Sequence, residues 1–192
     1  MRAKFIDEGE LDALAASMSA ADFLPFAVAL ETGLRIGDVL KIRHSDVKGR
    51  YLHFVAQKTG KAGRAQISAF TARKLREHNG SVWAFPGRSP DKPLTRQAAW
   101  ARIKKACERS GVNPDGISPH SLRKVFAVEL SREQGAEAAR IALQHSDLHT
   151  TELYVLSDWL TGENADKPLC RKDIAVIAEE IFQLLKLAVD KL

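Results

Sequence analysis

The chain is poor in cysteine and tyrosine and has no long apolar run. Its 192 residues include two cysteines, Cys107 and Cys170, which stand far apart without a Cys-x-x-Cys pair or a His/Cys cluster nearby. Neither a disulfide framework nor a zinc site is therefore expected. No apolar stretch approaches the roughly 18 residues that span a bilayer, and the charged start lacks the apolar centre of a signal peptide. These absences predict a cytoplasmic protein without membrane contact.

Basic charge is plentiful, and it is unevenly spread. Residues 35–76 contain eleven Lys/Arg against two acidic residues, and residues 85–110 contain seven against two. A surface biased in this way favours a polyanionic partner, because each neutralised phosphate releases condensed counterions. Compensating acids from other segments would instead give an ordinary solvated surface, and charge alone favours neither interpretation. The length favours one domain with one substantial core.

Apolar periodicity and capping residues predict most helices. They are expected over residues 8–19, from Asp22 to Gly33, over 36–42 and 71–78, from Thr95 to Gly111, from Ser118 to Gly135, over 136–143, and after Asp173. The predicted N-terminal caps are Asp22, Thr95, Ser118 and Asp173, since their side-chain oxygens accept from the first backbone N–H groups. On the helix after Thr95, the residues predicted to face inward are Ala99, Trp100, Ile103 and Cys107.

Residues 47–68 change to a period of two. Tyr51, His53 and Val55 alternate with Leu52, Phe54 and Ala56, and a turn with the sequence GlnLysThrGlyLysAlaGlyArg follows. The pattern predicts an antiparallel hairpin with a basic tip, in which Tyr51 is a packing residue. Together these elements predict a mainly α fold with a small antiparallel β-sheet, an α+β class.

Five short segments combine side chains suited to phosphate chemistry. They are GlyLeuArg35IleGlyAsp38, GlnLys58ThrGly, His120SerLeuArg123, His145SerAsp and the segment ending at Tyr154. Composition predicts about half of one His-x-x-Arg match by chance, and about 0.06 of a tyrosine nine residues after a histidine. The order of the segments is therefore stronger evidence than any single match.

In this order the segments resemble the tyrosine recombinases, the family of phage integrases and Xer-type resolvases, over about residues 22–156. The resemblance implies a catalytic domain over residues 1–157. Residues 158–192 are then a C-terminal linker and helix, either part of the same domain or exchanged between protomers. Most family members carry a further N-terminal DNA-binding domain, so the chain is expected to be an excised catalytic domain or a short recombinase resembling the fimbrial phase-variation invertases.

The resemblance also implies a function: an integrase or recombinase of bacterial, phage or mobile-element origin. It would cleave and rejoin DNA through a 3′-phosphotyrosyl intermediate on Tyr154, without metal, cofactor or ATP. The implied roles are a phosphate clamp by Arg35 and Arg123, protonation of the leaving 5′ oxygen by Lys58, proton transfer by His120, a phosphate hydrogen bond from His145 and support of the geometry by Asp38. Gln144 departs from the family pattern, which usually has glycine before that second histidine.

The implied partner is double-stranded DNA, with a tetramer on DNA and a monomer when free. The alternatives are a catalytically silent DNA-binding regulator of the same fold and a type IB topoisomerase. A metal-dependent nuclease is disfavoured, because no carboxylate cluster backs the histidines. Individual residues also have ordinary interpretations. For Arg35 this is a surface charge paired with Asp38, for Lys58 one solvated hairpin lysine among several, and for the two histidines a capping or core position.

Overall fold

A computed structural model describes residues 3–77 and 82–143 of the chain. Within these residues the protein forms seven α-helices and one three-stranded antiparallel sheet. The helices are α1 Glu8–Ala16, α2 Ala20–Thr32, α3 Ile36–Val39, α4 Ala69–Glu77, α5 Arg96–Ser110, α6 Pro119–Gln134 and α7 Ala136–Leu143. The strands are β1 Val47–Lys48, β2 Tyr51–Val55 and β3 Ala62–Gln66. The predicted mainly α fold with a small antiparallel sheet is confirmed.

The first two helices differ from the prediction at their junction. α1 ends at Ala16, because Ser17 turns its hydroxyl back to the Leu14 carbonyl at 2.7 Å. The cap of α2 is Ser19 and not Asp22, since the Asp22 N–H donates to Ser19 Oγ at 3.1 Å. The Asp22 carboxylate instead forms an ion pair with Arg102 of α5 at 3.0 Å. Asp22 therefore joins two helices rather than starting one.

Helix α5 follows its predicted bounds but not its whole predicted face. Thr95 Oγ1 accepts from the Ala98 N–H at 3.1 Å, and Gly111 ends the helix in the left-handed conformation, as predicted. Ala99, Ile103 and Cys107 are buried, whereas Trp100 is 46% exposed and lies beneath the Lys104 ammonium at 4.7 Å. The prediction for Trp100 is wrong because one residue along a helix turns the side chain by about 100° from the buried stripe.

The hairpin is confirmed in detail. β2 pairs with β3 so that Leu52 faces Ala65 and His53 faces Arg64. Leu52 and Ala56 are buried, while the alternate side chains point to solvent. Tyr51, predicted to be a packing residue, is instead 40% exposed, with the Arg64 guanidinium 4.6 Å from the centre of its ring. The outer face of the hairpin therefore carries the basic Arg64 beside Tyr51, together with exposed His53 and Val55.

Helix α6 is the central element that positions the site. It packs on α2 along one side and on α7 along another. Phe126, Ala127 and Leu130 of α6 form a buried cluster with Ala139 and Leu143 of α7. The main core lies mostly between α1, α2, α5 and the start of α6. None of the helices among the described residues combines the length and apolar character that a bilayer crossing requires.

Candidate active site

Arg35 stands in a short extended connection between two helices. α2 ends at Gly33, which has a φ of 66°, and Arg35 precedes α3 with an extended backbone. Its carbonyl accepts from the N–H groups of Asp38 and Val39 at 2.8 and 3.0 Å, so the start of α3 fixes the backbone that carries the side chain. The side chain itself is half-buried. The prediction that Arg35 lies at a helix start is confirmed.

Gly33 has to be glycine for two reasons. Its positive φ is a conformation that side chains rarely adopt, and a Cβ there would overlap the Phe126 ring and lie 2.9 Å from Leu143 Cδ2. The end of α2 therefore approaches α6 and α7 directly through its backbone. This close approach brings the connection carrying Arg35 against the first half of α6.

Arg123 is buried at the junction of these three helices, with 5% of its surface exposed. Its Nη1 donates to the Gly33 carbonyl, and its Nη2 donates to the Leu143 carbonyl at 2.6 Å. Gly33 ends α2 and Leu143 is the last described residue of α7, and a guanidinium has donors spaced to reach two such carbonyl oxygens. Arg123 therefore ties the end of α2 to the end of α7, beside Arg35.

His120 lies in the first turn of α6, three residues before Arg123. Its pKa is lowered below 6.5, first because burial of part of the ring removes water, and then because the charges of Arg123, Arg35 and Arg96 oppose protonation. The residue as a whole is nevertheless exposed. The lowered pKa favours the uncharged imidazole, which has a nitrogen lone pair that can accept a proton.

Asp38 connects Arg35's segment to the hairpin. Its carboxylate is buried, and Oδ1 accepts from the backbone N–H of Gln57 at 3.0 Å. The Gln57 side chain returns a second hydrogen bond, from Nε2 to the Gly37 carbonyl at 2.5 Å. Arg35 and Asp38 are both among the described residues, and no ion pair joins them. Asp38 thus holds the hairpin turn against α3 and does not neutralise Arg35.

Lys58 is the next residue after Gln57 and is exposed in the turn between β2 and β3. The turn is closed by hydrogen bonds from the N–H groups of Thr59 and Gly60 to the Ala56 carbonyl at 3.2 and 2.7 Å. Gln57 links the backbone at Lys58 to α3, while the side chain itself extends from the turn towards solvent. The two hydrogen bonds of Gln57 therefore hold the backbone next to Lys58 against α3, which follows Arg35.

The structure gathers Arg35, His120 and Arg123 and links Asp38 and Lys58 to them. His145 and Tyr154 lie outside the described residues, so their predicted roles remain predictions. Leu143, whose carbonyl is held by Arg123, is two residues before His145. Within residues 3–77 and 82–143, no three His, Cys, Asp or Glu side chains gather as metal ligands.

Two further residues of the site were not predicted from the sequence. Gln57 carries both hydrogen bonds to α3, and no local pattern signals that. Arg96 acts electrostatically on His120 and stands in the first turn of α5, directly after the Thr95 cap. Acidic residues are favoured at that end of a helix, so a basic residue there was a signal available in the sequence.

The domain is mainly α, and its guanidinium groups gather around one imidazole whose pKa they lower. Such a group of cations is suited to binding phosphate oxygens. The sequence model described as "Phage integrase family" matches residues 4–160. The chain belongs to this family, the tyrosine recombinases. Tyrosine recombinase XerD of Yersinia pestis is 30% identical over 173 residues, which cover 79% of this chain and 56% of that protein. The chain thus spans about half the length of the curated relatives it matches.

Solved structures show the same fold. A lambda integrase fragment, residues 75–356, crystallised as a dimer bound to a COC′ core site, superposes with a TM-score of 0.71 at 22% identity. The match covers 86% of this chain and 62% of that one. A lambda integrase tetramer bound to a Holliday junction gives a TM-score of 0.65 at 23% identity, over 77% of this chain and 48% of that one. At these identities the likeness establishes the fold.

Proposed function

We propose that this chain is the catalytic domain of a site-specific DNA recombinase, a strand transferase that works through Tyr154 without metal or ATP. The observation that carries the proposal is the meeting of Arg35 and Arg123 at His120, whose pKa they lower, in a chain of the phage integrase family. Permanently charged guanidiniums suit the negative charge that grows on phosphoryl oxygens during strand cleavage. The catalytic domain corresponds to residues 1–157.

The proposed reaction balances without an outside reagent. The phenolic oxygen of Tyr154 attacks the scissile phosphorus, and uncharged His120 accepts the phenolic proton. The bond from phosphorus to the 5′ oxygen breaks, and Lys58 donates a proton to that oxygen. The products are a 3′-phosphotyrosyl bond and a free 5′ hydroxyl, while the clamp of Arg35, Arg123 and His145 holds the phosphoryl oxygens. Attack by the 5′ hydroxyl of another strand reverses the step, so the bond energy is retained.

Duplex DNA is the proposed substrate, and it is supported by the basic surface as well as by the family. The segment of residues 35–76 that contains Arg35 and Lys58 has eleven basic against two acidic residues. The lambda integrase structures that share this fold were solved on a core site and on a Holliday junction. A positive surface around the phosphate clamp would hold the flanking duplex in register by contacts to its backbone.

The test is capture of the covalent intermediate. The 192-residue chain is incubated with a pool of duplexes of randomised sequence, each carrying a nick beside the expected cleavage position, so that the short cleaved piece diffuses away. We expect a protein–DNA adduct on a denaturing gel, and mass spectrometry should place the 3′-phosphate on Tyr154. Tyr154→Phe should abolish the adduct. Tyr51→Phe is the matched control, because it removes the same hydroxyl from the chain's other tyrosine and should leave the adduct intact.

Other outcomes of this experiment identify the alternatives. Duplex binding without any adduct would indicate a silent DNA-binding regulator and contradict the proposed activity. An adduct in the Tyr154→Phe variant would contradict the role of that tyrosine. Relaxation of supercoiled plasmid that needs no paired sites would favour a type IB topoisomerase.

Assembly is a second part of the proposal. The free domain is proposed to be a monomer that forms a tetramer on DNA, in which residues 158–192 dock on the same or a neighbouring protomer. Light scattering should report a monomer without DNA and a larger species with a pre-formed four-way junction. A stable tetramer without DNA would contradict this assignment.

A further inference from the structure

Arg96 lies against the backbone that carries Arg35. A Cβ added to Gly37 would stand 2.8 Å from Arg96 Nε, 3.1 Å from Cζ and 3.3 Å from Nη2. The whole guanidinium therefore covers the glycine between Arg35 and Asp38, and a larger residue there would push it away. Glycine at position 37 thus makes room for a cation supplied by a different helix.

The position of Arg96 is unfavourable within the protein alone. It occupies the first turn of α5, a fifteen-residue helix with no acidic residue in that turn, where the helix dipole repels a cation. No carboxylate among the described residues forms an ion pair with Arg96, and the nearby Asp38 accepts a hydrogen bond from Gln57. The residue is also exposed. An uncompensated cation held beside two other guanidiniums is an arrangement that an anionic ligand would stabilise.

We propose that Arg96 binds a backbone phosphate of the duplex beside the phosphate held by Arg35 and Arg123, and so is a further DNA-contacting residue of the site. The inference rests on the proposed function, because it requires duplex DNA at this surface. Arg96 also helps to keep His120 uncharged, together with Arg35 from the α2–α3 connection and Arg123 from α6. The Arg96 side chain would thereby both position the DNA and lower the pKa of His120, the proposed proton acceptor.

The decisive measurement is the salt dependence of binding. Affinity for a nicked duplex is measured across a range of salt concentrations with the full chain carrying Tyr154→Phe, so that cleavage does not interfere. Loss of one phosphate contact should reduce the slope of log K against log salt by about 0.9 in Arg96→Gln. Arg109→Gln is the matched control, since it removes the same charge from the same helix about 20 Å away along the axis. Its slope should equal that of the parent.

A second variant tests the geometry. Gly37→Ala should reduce the slope by displacing the Arg96 guanidinium, and should add nothing when Arg96→Gln is already present. Thermal unfolding of each variant checks that the fold is retained. Equal slopes for the parent and Arg96→Gln, or a Gly37→Ala effect that persists without Arg96, would overturn the proposal. A parent that fails to bind duplex would contradict the proposed function itself.

The pH profile gives an independent readout. In the chain with Tyr154, cleavage at subsaturating DNA reports the pKa of the proton acceptor in the free enzyme. Because Arg96 opposes protonation of His120, Arg96→Gln should move the acidic limb of the profile to higher pH, while Arg96→Lys should leave it near the wild-type position. An acidic limb that stays in place in Arg96→Gln would contradict the second part of the inference.

Discussion

Arg123 of α6 donates a hydrogen bond from Nη2 to the carbonyl oxygen of Leu143 at 2.6 Å, at the end of α7. The same guanidinium also donates to the Gly33 carbonyl at the end of α2. The bond to Leu143 fixes the backbone two residues before His145, and the bond to Gly33 fixes the backbone two residues before Arg35. Arg123, which is proposed to bind phosphate, therefore also holds the backbone that precedes two other proposed phosphate-binding residues, Arg35 and His145.

Arg123→Lys should consequently impair both stability and cleavage. A lysine ammonium keeps the charge but lacks the planar fork that reaches two carbonyls, so one buried acceptor loses its partner. We expect the free energy of unfolding in urea to fall by about 1–3 kcal/mol. Adduct formation should fall by about tenfold or more, since the clamp loses its geometry.

Arg132→Lys is the control for that variant, because it changes the same residue type on the same helix at a partly exposed site, where the retained charge can still pair with Glu129. It should behave like the wild type. A stable Arg123→Lys variant with full cleavage would show that the two carbonyl bonds are dispensable.

Asp38 offers a test of how the hairpin is held. Asp38→Leu removes the acceptor of the Gln57 N–H and should free the turn that carries Lys58, whereas Asp38→Asn retains an oxygen at the same place. We expect cleavage to fall by about ten- to a hundredfold in the leucine variant, for a lost buried hydrogen bond of about 1–3 kcal/mol. The asparagine variant should recover most of the rate, and both should bind duplex with nearly wild-type affinity.

Gel capture of the adduct and fluorescence anisotropy separate the two effects of Asp38. Equal cleavage by the leucine and asparagine variants would show that the acceptor oxygen at position 38 is not required.

Lys61→Gln, three residues after Lys58, tests whether a neighbouring lysine supplies the proton in place of Lys58. It should keep normal adduct formation, while Lys58→Gln should slow release of the 5′ oxygen.

The features predicted correctly from the sequence are those encoded locally. Thr95 and Gly111 bound α5 because a cap and a left-handed glycine act on their own backbone. The burial of alternate residues in β2 follows in the same way from the period of a strand. The proximity of His120 and Arg123 follows from three-residue spacing on a helix.

The features that were not predicted depend on contacts between distant segments. Gln57 reaches α3 across twenty residues, and Arg96 reaches Gly37 across fifty-nine. Neither contact produces a periodic pattern in the nearby sequence from which it could be predicted. The error at Trp100 has a related origin, since an aromatic side chain beside a buried stripe is assigned to the core by its apolarity alone. The exposed position of Trp100 is instead stabilised by a cation–π interaction between its indole ring and the Lys104 ammonium.

Glu31 provides a stability prediction remote from the chemistry. It is 6% exposed, and its carboxylate accepts from the Ser68 N–H at 2.8 Å, from Ser68 Oγ at 3.0 Å and from Thr71 Oγ1 at 2.5 Å. These bonds attach α2 to the start of α4. Glu31→Leu should lower the free energy of unfolding by about 2–4 kcal/mol, because it leaves buried donors without an acceptor. Urea denaturation should show this, with Glu108→Gln on exposed α5 surface as an unchanged control.

The lowered pKa of His120 predicts how stability changes with pH. In the unfolded chain His120 has its ordinary pKa of 6.5, whereas in the folded protein its pKa is lower. As the pH drops below 6.5, His120 therefore binds a proton in the unfolded state before it does so in the folded state, and the free energy of unfolding falls. His120→Gln removes this contribution. The free energy of unfolding of the variant, measured relative to wild type, should therefore rise as pH is lowered through the range below 6.5. If the free energy of unfolding of His120→Gln instead runs parallel to that of wild type, protonation of His120 does not differ between the folded and unfolded states, and the proposed proton acceptor lacks its electrostatic basis.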